Sequence, residues 1–112
     1  MRRRLPGILL ACLASAAAAG RAEDEATFDM NKGQIYALYM RELKAHPGLK
    51  GRLLLDLQIA TDGRVANCRV VSSELESPGF GDKVCRLVRD IPFAPRPATT
   101  RLNKEISFFP AY

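Results

Sequence analysis

The 112-residue chain has no tryptophan, one histidine and three cysteines. A lone histidine supplies no histidine metal site, and Cys68 and Cys85 lie in separate elements without zinc-motif spacing. No glycine-rich loop opens a helix, so there is no phosphate cradle. His46 stands before Pro47 at a helix end, where a solvated residue interacting with the helix dipole is the natural reading. Ser72-Ser73 closes a strand with no base beside it. Asp56 reads as a strand-face charge and Asp62 as a turn former. A catalytic set is therefore not assembled, and the expectation is a non-enzymatic domain with no cofactor, metal or small-molecule substrate.

A surplus of one charge is also missing from the body of the chain. Of the 17 basic residues, Arg2, Arg3, Arg4 and Arg21 precede Glu23, which leaves 13 basic against 12 acidic residues from there onward. Arg86, Arg89, Arg96 and Arg101 alternate with Asp82, Asp90 and Glu105, and no aromatic ladder accompanies them. That pattern is a solvated face rather than a nucleic-acid surface. With 47% apolar and 26% charged residues, the chain is not of disordered composition, and its length suits one domain.

Long hydrophobic runs are scarce too. Residues 5–20 form an uncharged stretch of 16 residues, short of the about 20 that span a bilayer. With Arg2-Arg3-Arg4 before it and an Ala-Gly run at its end, residues 1–22 read as a cleaved signal peptide; Ala17-Ala18-Ala19 and Gly20-Arg21-Ala22 both fit the cleavage pattern, and a cut after Ala22 is favoured. The expected mature protein is exported. Leu9-Leu10-Ala11-Cys12 loosely resembles a lipoprotein processing box, so membrane anchoring is expected only if Cys12 is lipidated or the leader stays uncleaved. In an oxidising compartment Cys68 and Cys85 form an even pair that favours a disulfide, with two buried thiols as the alternative.

Residues 23–29 are acidic and poor in apolar side chains, which predicts a flexible stub before a domain over 30–112. Asn31 and Gln34 fit a helix start, with Met30 stapled onto Ile35. Ile35, Leu38, Tyr39 and Leu43 then form a stripe at helical spacing that ends at His46-Pro47. Leu53, Leu55, Leu57 and Ile59 alternate along a first strand. Thr61-Asp62-Gly63 turns the chain, and the return strand carries Ala66, Cys68 and Val70 on one face and Val65, Asn67, Arg69 and Val71 on the other. A second helix starts at Ser77-Pro78 and buries Phe80, Val84, Leu87, Val88 and Ile91. A last strand, residues 102–109, places Leu102, Ile106 and Phe108 inward. The fold class is α+β: a two-layer sandwich of order α-β-β-α-β, with a three-stranded antiparallel sheet and both helices on one face.

The last strand is expected to lie beside the first, at an edge. Its segment Lys104, Glu105, Ile106, Ser107, Phe108 and Phe109 is the candidate partner-binding site, where backbone groups could pair with an added strand. Lys104 and Glu105 also read as edge protection, and Phe109 as an aromatic on the face away from the core.

In order and spacing, several motifs in residues 35–109 resemble the TonB C-terminal domain family, in its AgmX/PglI-type variant. They are Tyr39, Leu43, Pro47-Gly48-Leu49-Lys50-Gly51, Asp62-Gly63-Arg64-Val65, Val70-Val71-Ser72-Ser73, Ile91-Pro92-Phe93-Ala94-Pro95 and Ile106-Ser107-Phe108-Phe109. The resemblance implies a periplasmic module that captures a protein or peptide partner by strand pairing along Lys104–Phe109, linked to TonB-type envelope transport. The family's spanning anchor and proline-rich spacer have no counterpart read in this sequence, so peptide binding is carried over and work transmission by this chain alone is not. The alternative expectation is a structural subunit of an envelope motility or secretion assembly. A redox or hydrolytic role for Cys68 and Cys85 ranks below both, since they lack Cys-x-x-Cys spacing.

Overall fold

The computed structural model describes residues 20–110. Most of the leader and Cys12 lie outside the described residues. The element order is α1 (Lys32–Ala45), β1 (Gly51–Ile59), β2 (Val65–Ser73), α2 (Phe80–Val88) and β3 (Thr100–Phe108). The strands form one antiparallel sheet in the order β2-β1-β3. Both helices cover one face, giving the α+β sandwich read from the sequence.

β1 is central, and its alternation is complete: Leu53, Leu55, Leu57 and Ile59 are fully buried, while Arg52 is exposed and Leu54, Asp56 and Gln58 are half-buried. The turn to β2 closes with the Ala60 N–H donating to Arg64 O at 2.8 Å and the Gly63 N–H to Ala60 O at 2.9 Å. Asp62 Oδ1 accepts from the Arg64 N–H at 3.0 Å. Gly63 has φ +89°, and a Cβ there would stand 2.1 Å from Phe93 O. Only glycine permits that turn.

β2 departs from the expected facing. Its register against β1 shifts twice, between Leu54 and Leu55 and between Gln58 and Ile59. At the second shift Ala66 is passed over, so Val65 pairs with Ile59 and is buried while Ala66 is exposed. One extra residue in a strand reverses which side chains meet the core. Cys68 and Val70 keep their inward placement.

α1 buries Ile35, Leu38 and Tyr39, with Leu43 packed at the margin. Tyr39, Phe80 and Phe108 join α1, α2 and β3 in one aromatic cluster, with centroids 5.0–6.3 Å apart. The Tyr39 hydroxyl donates to Leu49 O, so the ring is tied to the loop that follows its own helix. α2 begins at Phe80 after a left-handed Gly79 and not at Ser77-Pro78. It lies close on β2, since a Cβ on Gly81 would fall 2.8 Å from Val70 Cγ2. Cys85 on α2 is bonded to Cys68 on β2, with Cα atoms 5.5 Å apart. α2 ends at Val88, and Ile91 joins the core from the following segment together with Phe93.

The acidic segment is the largest departure from the sequence reading. Residues 20–30 are helical, and Phe28 is fully buried in the core. Asn31 makes no capping bond. Its Nδ2 donates back to Thr27 O at 2.8 Å and its N–H to Phe28 O at 3.0 Å. Met30 is 85% exposed and staples nothing. Arg96 grips the segment through both carboxylate oxygens of Asp24, at 2.7 and 2.8 Å, with the two side chains 9% and 14% exposed. Lys104 Nζ reaches Glu25 at 2.6 Å and Asp29 at 3.3 Å, and stands 5.3 Å from the centroid of the Phe28 ring.

Candidate functional site

β3 pairs with β1 alone and forms one edge of the sheet. Its register is unbroken from Gly51↔Phe108 to Ile59↔Thr100. Which backbone groups look outward follows from β1. Arg52 O accepts from the Glu74 N–H and the Ala60 N–H donates to Arg64 O, both toward β2. Even residues of β1 therefore bond to β2 and odd ones to β3. Through the register, Thr100, Leu102, Lys104, Ile106 and Phe108 are bonded inward. Arg101, Asn103, Glu105 and Ser107 turn N–H and C=O to the open edge, and no described residue bonds to them.

The six residues singled out from sequence thus fall into distinct places. Glu105 and Ser107 carry outward backbone groups and exposed side chains. Ile106 and Phe108 are buried core residues. Phe109 lies just past the strand and is 62% exposed. Lys104 is not a solvated guard of the edge. It points to the helix side beneath the N-terminal segment, where its side chain is 13% exposed. Sequence alternation already put Lys104 on the face of Leu102 and Ile106, and this was the signal available for its placement. Arg101 and Asn103 were not singled out, although they carry half of the outward groups.

The face away from the helices is a lattice of opposite charges. Asp56 lies 3.3 Å from Arg69 and 3.5 Å from Arg101, and Arg52 lies 3.4 Å from Glu74 and 3.7 Å from Glu105. These pairs are mostly exposed and contribute little stability. The Arg52 backbone N–H, then its guanidinium, holds the Glu74 carboxyl below its ordinary range. A polar recess of about 580 Å³, lined by His46, Lys50, Glu74 and Glu76 among others, opens beside that pair. Among the described residues no group of three or more His, Cys, Asp or Glu is placed to hold a metal, and no helix is long and apolar enough to cross a membrane.

Electrostatics tie the N-terminal segment to β3. Burial lowers the proton affinity of Lys104, but hydrogen bonds to Glu25 and Asp29 outweigh it, and the net shift is upward. The Lys32 hydrogen bond, opposed by burial and then joined by Lys104, draws the Asp29 carboxyl below its ordinary value. Both signs give a contribution that is complete at neutral pH. It is lost in acid as pH falls below about 4 through the lowered carboxylate value, and in base only above the usual lysine range of about 10.4. Thermal midpoints are expected to be flat from about pH 5 to 9 and to fall below about pH 4. Lys104→Met, which keeps packing on Phe28, should flatten part of that acid limb. An unchanged acid limb in Lys104→Met, followed by differential scanning calorimetry, would remove this electrostatic account.

No family model, curated protein or solved structure matches the chain.

Proposed function

We propose that this chain is a small exported protein-binding module that captures an extended partner segment by strand addition to β3 and catalyses nothing. The observation that carries this reading is the row of outward N–H and C=O groups on Arg101, Asn103, Glu105 and Ser107, spaced along a strand with no register shift. Main-chain pairing supplies affinity there without special side-chain chemistry. The Cys68–Cys85 disulfide is compatible with an oxidising compartment such as the periplasm. The resemblance to TonB C-terminal domains agrees with this mode and suggests partners in envelope transport.

Ser107→Pro tests the reading. The Ser107 N–H looks outward, so proline removes a donor from the open edge and leaves the β1 ladder intact. Ile106→Pro would break an inward bond and confound the result. Affinity for peptides selected from a phage-displayed random decapeptide library is expected to fall about tenfold or more, with the thermal midpoint kept within a few degrees. Unchanged affinity sinks the edge assignment. A partner that co-purifies stoichiometrically and never exchanges would mark the chain as a structural subunit of an envelope assembly instead.

A further inference from the structure

We infer that the exposed helical stripe above β3 is a second wall of the same site, and that Tyr36 and Met40 on it receive a large apolar side chain of the added strand. This rests on the reading of β3 as an addition edge.

Glu25, Asp29, Tyr36 and Met40 follow one another at helical spacing and lie along one side of the N-terminal segment and α1. Their contacts fix where that side runs. Glu25 and Asp29 meet Lys104, and the Tyr36 ring meets Phe108 edge-on at 5.7 Å. From Lys104 to Phe108 is about 13 Å of strand, and from Asp29 to Tyr36 about 10 Å of helix. The helical layer therefore travels along β3 in the same direction, on the same side of the sheet.

That placement decides what kind of partner fits. Packed helices stand about 8–10 Å apart, whereas paired strands are about 4.8 Å apart. A second copy joined edge to edge would bring its own helical segment over the same edge, where it would compete for the space beside Tyr36 and Met40. A lone extended segment brings no helix. The occupant is thus a single peptide strand and not another copy of the chain.

The two halves of the stripe differ in what they select. In the first half Asp29 pairs with Lys32 at 3.1 Å and, with Glu25, pairs with Lys104. Two carboxylates face two lysines, so little net charge is left to choose a partner. In the second half Tyr36 is 38% exposed and Met40 55% exposed. A strand added to β3 bonds through the odd residues, so its residue opposite Phe108 sits in a non-hydrogen-bonded pair. Side chains approach most closely in such pairs. That residue faces the helical layer, within reach of Tyr36 and Met40. An aromatic or long aliphatic side chain there buries apolar surface on both partners.

The experiment uses the purified, oxidised protein and the same random decapeptide library. Selected peptides should share Phe, Leu, Ile or Met at one fixed position. Alanine at that position should weaken binding about tenfold to a hundredfold. The double variant Tyr36→Ser/Met40→Glu should weaken the parent peptide by a similar factor and leave the alanine peptide almost unchanged. Both side chains are exposed, and an unchanged melting curve will report that the fold is kept. Equal effects on the two peptides overturn the apolar wall, and sensitivity to Ser107→Pro would still uphold the edge. Binders indifferent to Ser107→Pro, or no binders, overturn both. A dimer in sedimentation velocity that Ser107→Pro dissolves overturns the lone-strand occupant.

Discussion

Phe28→Ala is expected to destabilise the protein by about 3–5 kcal/mol, the cost of deleting a large ring from a closed core. Phe28 is fully buried and lies under Lys104. Its loss would also strip the apolar contact from beneath a lysine that is itself largely covered. A domain of this size has a total stability of about 5–15 kcal/mol, so the variant should melt roughly 15 °C or more below the parent. The segment that carries Phe28 makes the outcome informative. Were residues 23–29 a solvated tail, truncating Phe28 would cost less than about 0.5 kcal/mol. Calorimetry or guanidinium unfolding separates the two values. Asp24, held by Arg96 across 72 positions of sequence, gives a second handle on the same segment.

Removing the disulfide should have the next largest effect. Cys68 and Cys85 close a loop with a sequence separation of 17, for which restriction of the unfolded chain gives about 3 kcal/mol. The bridge joins β2, an edge strand, to α2, a helix of only nine residues. Helices of that length are marginal on their own and depend on packing. The double variant Cys68→Ser/Cys85→Ser, or reduction with a phosphine, is expected to lower the guanidinium midpoint and to expose α2 to amide exchange before β1. An oxidised and a reduced protein with the same midpoint would mean that the bridge adds nothing to the fold.

Much of the architecture was legible because it is written in local periodicity. The alternation of Leu53, Leu55, Leu57 and Ile59 needs only a pleated strand with one buried face. Asp62-Gly63 needs only a tight turn, and the structure has both. What failed was non-local. A segment holding Glu23, Asp24, Glu25 and Asp29 around one phenylalanine looks too polar to fold. Asp24 is matched by Arg96 and Glu25 by Lys104, more than 70 positions away. Asn31 has the chemistry of a helix cap, but its amide turns back to Thr27 because the chain is already helical on arrival. Val65 and Ala66 exchanged faces through a register shift that strict alternation cannot foresee. For the candidate site, the edge position of the last strand followed from topology. Which of its backbone groups face outward required the pairing register, and the wall above it required knowing that the N-terminal segment is ordered.

The two bulges in β2 have a consequence for assembly. A sheet with two regular margins can add molecules at either side and grow without limit, the route by which edge strands lead to fibres. Here one margin is kinked twice, at Ala66 and Val71, where the shifts leave a residue unpaired, and only the opposite margin offers an even template. Copies of this protein therefore cannot link through both margins of their sheets, and its complexes should be finite in length.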